Sequence, residues 1–413
     1  MPRIPPELCA KCKGYKRLCG LPYCPILQRF RASMSTALRV EGRSVEGATP
    51  PGVLVGERGY PAVRLYLFIP PGVSGEEARI YDAPQIWAGQ RLTLARIISL
   101  RSSILGASLR ADARDPYRLY ETEIGLAALS ERPVDAEAEL RRPPVPRLRF
   151  DGLVKPVGPT APAERVRVSS SPRLPPSLEK AIWDDARASD IVWELYRSGV
   201  DIYSIQRAFS LGFLGRPRSR RIVPTRWSIT AVDEILSGRL RAAIRGLPEI
   251  GEAELYYGEY LGNRFIIVLL PGPGSIEWIE AWHPRTVWTR HGSKPVVYRL
   301  VEDPLGRKTA EDGGYSAAKL GVLEHLYNRG RRADAVIIRE ILPSYYAPVG
   351  NWHIRETVRR AMREGPIARA PGPEGLQEEI ERRLDLPGLA RESRLLGLGG
   401  RRQSRLDEFP GFA

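Results

Sequence analysis

Four cysteines fall within sixteen positions, Cys9-x2-Cys12-x6-Cys19-x4-Cys24, and they are all 4 cysteines of a 413-residue chain. Core packing does not produce such a cluster, because buried cysteines scatter among core positions. In a reducing compartment a disulfide pair is disfavoured, so the spacing points to metal ligation. A Cys-x-x-Cys turn offers two thiolates to one ion, and the next two loops return two more to close a tetrahedron. Lys11, Lys13, Lys16 and Arg17 offset the negative charge of a four-thiolate centre and favour the thiolate form. Gly14 and Gly20 permit the turns. Cys9, Cys12, Cys19 and Cys24 are therefore expected to hold one Zn²⁺ in a closed, structural site. An iron–sulfur cluster is the alternative, since four thiolates suit it and Cys24-Pro25 echoes the endings of cluster-binding motifs.

The rest of the chain is long enough for two or three domains. Hydrophobic residues make up 43% and charged residues 27%, which allows real cores. There are 63 Lys+Arg against 48 Asp+Glu, a formal net charge of +15. That balance favours a polyanionic partner, nucleic acid before an anionic membrane surface, although an Arg-rich proteome gives the same excess. Almost all of the positive charge is arginine, which serves phosphate contacts and ion-pair networks alike. No apolar run reaches membrane-spanning length: Phe265 to Leu270 ends at Pro271-Gly272 and reads as a buried strand. Met1 to Pro6 has no signal-peptide core. The expected location is cytoplasmic, with no membrane partner.

Pattern along the chain predicts an α+β protein with mixed helices and largely antiparallel strands. Pro25–Ser35 reads as a helix, Tyr60–Ile69 as a strand, and Gln90–Leu105 as a helix. From Arg132 to Pro176 proline is so dense that neither a continuous helix nor a central strand is expected, only an extended connector. Helices follow: Ser177–Ser198, Tyr203–Leu211, and one capped by Ser228 or Thr230 and running to about Arg245. Glu252–Tyr260 and Asn263–Leu270 form a hairpin about Leu261-Gly262, and Ile276–Trp282 is a further strand. Gly314–Arg329 and Trp352–Arg363 are helical and Ala335–Ile341 is a strand. Leu376–Leu384 reads as a charged helix, and Gly397 to Gly400 as a joint.

The last residues carry a different signal. In a 3₁₀ turn, Gln403, Leu406 and Phe409 stand on one side as an amide, an aliphatic plug and an aromatic plug. This resembles the peptide by which repair and replication proteins dock on the ring-shaped, PCNA-type sliding clamp. In that peptide a second aromatic follows the first. Here that position is Pro410, and Phe412 is the nearest ring.

The central segments admit two readings. Asp184, Asp185 and Asp190 sit in an otherwise apolar helical pattern, where aspartate is a poor residue. With Arg187 sharing a face at i,i+3 spacing, they could hold Mg²⁺ or Mn²⁺ for phosphodiester chemistry. The structural alternative is an Asp–Arg lattice between helices. Arg226 stands at a helix start, where backbone N–H groups favour phosphate. Arg218, Arg220 and Arg221 precede it in a basic loop, and Arg355 belongs to a later basic segment. Glu277–Trp282, Asp312–Tyr315, Arg339–Ile341 and Pro348–Glu356 read first as packing or turn segments. No P-loop, dinucleotide fingerprint or nucleophile elbow is present, and the chain has only 4 histidines, so histidine-based metal catalysis is not expected.

Taken together, the cysteine knuckle, Gly59-Tyr60-Pro61, Trp183 to Arg187, Val223 to Asp233, Gly313-Gly314-Tyr315, Pro348 to Glu356 and the tail resemble the archaeal Nre family of DNA repair proteins. The resemblance implies a zinc finger, DNA as a partner, a role in DNA repair and docking on the sliding clamp. It gives no reaction. The domain reading is then a knuckle at 1–35, an Nre N-terminal domain at 36–285 with the Pro-rich connector near 132–176, an Nre C-terminal domain at 286–365, a linker at 366–402 and the clamp-binding tail at 403–413. Two functions follow: a repair factor that binds DNA through arginine-rich surfaces, or a metal-dependent nuclease or nucleotide-processing enzyme with an Asp/Arg site.

Overall fold

The first sheet is built from β1 (Ser44–Thr49), β2 (Leu54–Val55), β3 (Ala62–Ile69), β4 (Leu105–Asp112), β5 (Val134–Leu140) and β6 (Thr160–Val168), in the spatial order β1-β5-β6-β4-β3-β2. The computed structural model describes residues 9, 11–18, 24–40, 42–120, 122–146, 157–284, 286, 289 and 294–398. Neighbouring strands of this sheet are antiparallel except β4 and β6. Along β5 the residues alternate strictly, with Val134, Ala136, Ala138 and Leu140 buried and Asp135, Glu137 and Glu139 exposed. That period of two gives the strand one core face and one wet face.

The proline-dense stretch is thus not the connector expected from composition, because it supplies β5 and β6, the two strands between β1 and β4. Its prolines explain how. Pro133 and Pro159 stand just before strands, and Pro143, Pro144, Pro172 and Pro175 stand after them. Only Pro162 lies inside a strand. It sits next to the register shift at Glu139/Leu140, and its carbonyl accepts the Arg141 N–H at 2.9 Å. An irregular spot in the ladder is where a residue without an N–H is tolerated.

The longer helices of this part of the chain are α1 (Pro25–Leu38), α2 (Leu94–Ser102), α3 (Glu123–Leu129), α4 (Pro176–Ile182), α5 (Ala188–Arg197) and α6 (Ile202–Ser210), and α7 (Thr225–Ile244) leads out of it. Ile124 and Ala127 of α3 pack on Leu67, Leu105, Ala136 and Ala161 of the sheet. Helix α7 begins three residues before the expected cap at Ser228. Pro224 starts it, its carbonyl accepting the N–H groups of Trp227 at 2.8 Å and Ser228 at 3.0 Å.

The second sheet comprises β7 (Ala253–Tyr260), β8 (Asn263–Leu270), β9 (Ile276–Trp282), β10 (Val296–Glu302), β11 (Asp334–Ile341) and β12 (Ala368–Ala370), ordered β10-β9-β11-β8-β7-β12. Only β9 and β11 run parallel. The β7–β8 hairpin turns on two residues, Leu261 (φ 52) and Gly262 (φ 72), as expected from the sequence. A Cβ on Gly262 would lie 2.7 Å from the Tyr345 nitrogen, so both the positive φ and the space demand glycine.

Contacts divide the chain into two units, Met1–Arg239 with Tyr346–His353, and Leu240–Tyr345 with Ile354–Ala413. In this division β7 to β9 fall with the later strands, because β8 and β9 are hydrogen-bonded to β11. Both faces of the second sheet are covered, which accounts for the continuous apolar run of β8. On one face Trp278 meets Tyr315 of α8 (Gly313–Arg329) at 6.3 Å between ring centres. A Cβ on Gly258 of β7 would come within 3.2 Å of α9 (Trp352–Glu364) at Thr357 and Ala361. On the other face Leu376, Ile380 of α10 (Gln377–Arg383), Leu384, Leu389 and Leu396 pack against Leu255, Ile266, Val268, Ile279 and Ile338. The segment expected as a linker at 366–402 is thus, through residue 396, the second cover of this sheet. Among the described residues no helix is long and apolar enough to cross a membrane.

Candidate nucleic-acid interface

Four loops of the first unit are stitched together at one edge. Ala113 N–H donates to the Pro61 carbonyl and Ile222 N–H to the Ala113 carbonyl, each at 2.8 Å. The Val55 N–H donates to the Thr225 hydroxyl at 2.8 Å. The Arg220 side chain is buried and acts as the central strut. It donates to the Gly215 and Asp184 carbonyls, both at 2.7 Å, and its guanidinium lies 5.8 Å from the Tyr117 ring centre. Residues 54–62, 112–120, 183–187 and 215–227 are thereby held as neighbours.

The expected helix from Ser177 to Ser198 is broken at the motif it was meant to carry. α4 stops at Ile182 and α5 starts at Ala188. Asp184 turns its carboxylate onto the Ala186 N–H at 2.8 Å, and Arg187 is extended (φ −65, ψ 143). Aspartate competing for local N–H groups is the reason it breaks helices. Asp184, Arg187 and Asp190 consequently do not share a helix face. Asp185 is exposed, and Asp190, in the first turn of α5, pairs with Arg239 of α7. The three aspartates do not form a metal-ligating cluster among the described residues.

The arginines divide. Arg187, Arg218, Arg221 and Arg226 are exposed, while Arg220 is committed to the loop framework. Arg355, on α9 in the other unit, is fully buried and does not reach solvent. Arg114 and Asp112 neutralise one another at the same edge. Hydrogen bonds from the Arg114 side chain and amide hold the Asp112 carboxyl down at about 2. A cavity of about 350 Å³ opens beside them, walled by Ala62, Leu109, Arg110, Asp112, Arg118 and Thr122.

What residue-by-residue reading missed is the aromatic content of this edge. Trp183 is 69% exposed, Trp227 51%, Tyr60 46% and Tyr117 45%. Trp227 lies 6.0 Å from Tyr60, and Trp183 makes a T-shaped contact with Tyr120 at 5.0 Å. The sequence signal was an arginine close to each tryptophan, Arg187 after Trp183 and Arg226 before Trp227.

At the N-terminal end, Cys9 and Cys12 are buried and Cys24 is half-buried. The Lys13 N–H donates to the Cys9 carbonyl at 2.9 Å, closing one turn. A Cβ on Gly14 (φ +84) would stand 3.2 Å from Cys24 Sγ, so this thiol faces the turn that follows Cys12. The donor set fits a soft cation with thiolate ligands. Cys19 lies outside the described residues, as do Gln403, Leu406, Phe409 and Phe412.

The second unit holds charged groups of a different kind. Glu277 and Glu280 point to opposite faces of β9, as their spacing requires. Glu277 is fully buried and accepts the Ser393 hydroxyl at 2.6 Å, the N–H groups of Leu395 and Arg394 at 3.1 and 3.2 Å, and the Arg299 guanidinium at 2.8 Å. Glu340 accepts from the N–H of Leu386 at 2.8 Å and of Asp385 at 3.2 Å, and its Oε1 lies 2.9 Å from His283 Nε2. Glu280 lies 3.4 Å from Arg339, and burial pushes its carboxyl above the usual range. His283, Glu340 and Asp385 are close enough to share an ion, but Arg264 already stands 2.6 Å from Asp385 and 3.5 Å from Glu340. These groups fasten chain segments to the sheet.

Comparison with known proteins gives a consistent answer. Residues 18–289 match the family model described as archaeal Nre, N-terminal, and residues 302–409 match archaeal Nre, C-terminal. The chain is 36% identical over 356 residues to DNA repair protein NreB of Archaeoglobus fulgidus, covering 85% of this chain and 87% of that protein. It is 35% identical over 364 residues to DNA repair protein NreA of the same organism, covering 87% and 89%. To DNA repair protein NreA of Haloferax volcanii it is 34% identical over 344 residues, covering 80% and 81%. No solved structure matches.

Proposed function

The chain belongs to the archaeal Nre family, and from that premise we propose that it is a cytoplasmic DNA repair factor that binds DNA through the arginine-rich loop edge of its first unit and is recruited by docking its C-terminal tail on the sliding clamp. The observation that carries the DNA-binding part is the convergence of exposed Arg187, Arg218, Arg221 and Arg226 on a framework braced by Arg220. Guanidinium groups on rigid loops suit phosphate contacts, and a chain of net charge +15 is drawn to a polyanion. The names of the relatives supply the repair context.

Two outcomes test this reading. Alanine at Arg218, Arg221 and Arg226 together is expected to weaken DNA binding by about 10-fold or more and to flatten the salt dependence by about 2–3 in log–log slope. An unchanged slope removes these arginines from the interface. In Mg²⁺ or Mn²⁺, flap, gapped and crosslinked DNA are expected to be bound but not cut. Cleavage that disappears in Asp184→Ala and Asp185→Ala would replace the factor with the nuclease.

Cys9, Cys12, Cys19 and Cys24 would hold the metal. When bound, it supplies a cross-link in a segment too short for a core, with no open position for chemistry. Purified protein is expected to be colourless and to carry about one zinc per chain, lost in Cys12→Ser. Visible sulfur–iron absorption would assign a cluster instead.

A further inference from the structure

We propose that the exposed rings of Tyr60, Trp227, Tyr117 and Trp183 form a stacking track for unpaired bases, so that this edge takes single-stranded DNA in preference to duplex. The proposal rests on the DNA-binding reading and names which form of DNA it selects. Single apolar side chains on a surface need no explanation. Here two tryptophans, each paired with a tyrosine, flank the loop that carries Arg216, Arg218 and Arg221.

The links between them are short. Tyr60 adjoins Pro61, whose carbonyl binds Ala113. The Ala113 carbonyl in turn binds Ile222, two residues from the Arg220 that anchors Asp184 beside Trp183. Trp183 meets Tyr120 at 82° between ring planes, a geometry that occupies at most one face of the indole and leaves the other for a partner.

Charge narrows the occupant. The exposed arginines repel a second copy of this basic chain, so the partner is anionic. A ring face adds nothing to a duplex contact, because paired bases are already stacked inside the helix. An unpaired strand offers a phosphate for each guanidinium and a planar face for each ring, and such stacking tolerates any base. Of the acids on these loops, Asp184 is turned onto the Ala186 N–H and Asp112 is matched by Arg114, while Glu57, Asp115 and Asp185 are exposed. Asp185 is exposed next to Trp183 and opposes an anion there, which sets a lower limit on what the ring must contribute.

The test uses the full chain with fluorescein-labelled oligo(dT) and a hairpin duplex of equal phosphate number. Trp183→Ala and Trp227→Ala are each expected to weaken oligo(dT) binding by about 10-fold and duplex binding by less than about 2-fold, with Trp→Phe restoring most of the loss. Unmodified protein gives a second readout: oligo(dT) should quench its tryptophan fluorescence and the duplex should not. Equal effects of the alanine variants on both DNAs, or none on either while the arginine variants still weaken both, would overturn stacking and leave the DNA-binding reading standing. Absence of binding to either DNA by the unmodified chain would remove the parent reading itself. A dimer that dissociates on Trp183→Ala, with oligo(dT) affinity unchanged, would reassign the rings to self-association and overturn the proposal.

Discussion

Phe409→Ala is expected to abolish co-elution of the full chain with an archaeal-type sliding clamp at micromolar concentrations. Burying Leu406 and Phe409 yields about 1.5–3 kcal/mol each. A micromolar complex needs about 8 kcal/mol before ordering costs are met. Two plugs alone do not reach that figure, so the Gln403 amide and main-chain pairing of the flanks must add to them. Removing either plug then drops affinity about 10- to 150-fold, which takes a micromolar complex out of detection. The chain departs from the usual pattern at Pro410, and titration of Phe412→Ala against the Gln403–Ala413 peptide decides whether Phe412 fills the second aromatic position. Clamp binding unaltered by Phe409→Ala would reject this mode of docking, and the repair assignment would then rest on the relatives alone.

Glu277→Ala is expected to cost about 3–5 kcal/mol in folding stability, because the carboxylate is buried and each buried donor left without an acceptor costs about 1–3 kcal/mol. The mutation strands four donors at once: the Ser393 hydroxyl, two backbone N–H groups and the Arg299 guanidinium. Backbone N–H groups without an acceptor are expensive when buried. They belong to the segment that seals the second face of the sheet with Leu389, Ala390 and Leu396. Glu277→Gln keeps an acceptor but presents an amide to donors, and should fall between the two. Chemical denaturation gives the magnitude, and limited proteolysis should show earlier cutting near residues 385–396. A loss below about 0.5 kcal/mol, the range of ordinary surface substitutions, would show that the carboxylate does not hold this segment. Because this segment precedes the tail proposed to dock on the clamp, the same variant should lose clamp binding only after proteolysis, not before.

The two sheets differ in how far local chemistry determined them. The β7–β8 hairpin was legible because Leu261-Gly262 sits between two β-forming runs, and a two-residue turn fixes register by itself. The strands at 134–140 and 160–168 were hidden by proline. Whether proline excludes a strand depends on which side of each residue the ladder runs, and only the partner strands decide that. The helix break at Trp183 to Arg187 was misread for a related reason. Its apolar spacing continued, but Asp184 found a local N–H and Arg220, 36 residues away in sequence, claimed its carbonyl.

For the candidate interface, residue types alone identified a basic chain with arginines around 216–226, because charge survives without knowledge of the fold. They could not show that Arg220 is spent on loop carbonyls, that Arg355 is buried, or that Trp183 and Trp227 stand open to solvent at one edge. Those facts depend on which loops are neighbours. The order of amino acids by itself settled the family, the charge, the cysteine spacing and the hairpin, since each is written in contiguous residues or in a sum over the chain. Only the tertiary structure decided which side chains are buried struts and which face the solvent, because burial is set by contacts between segments far apart in sequence.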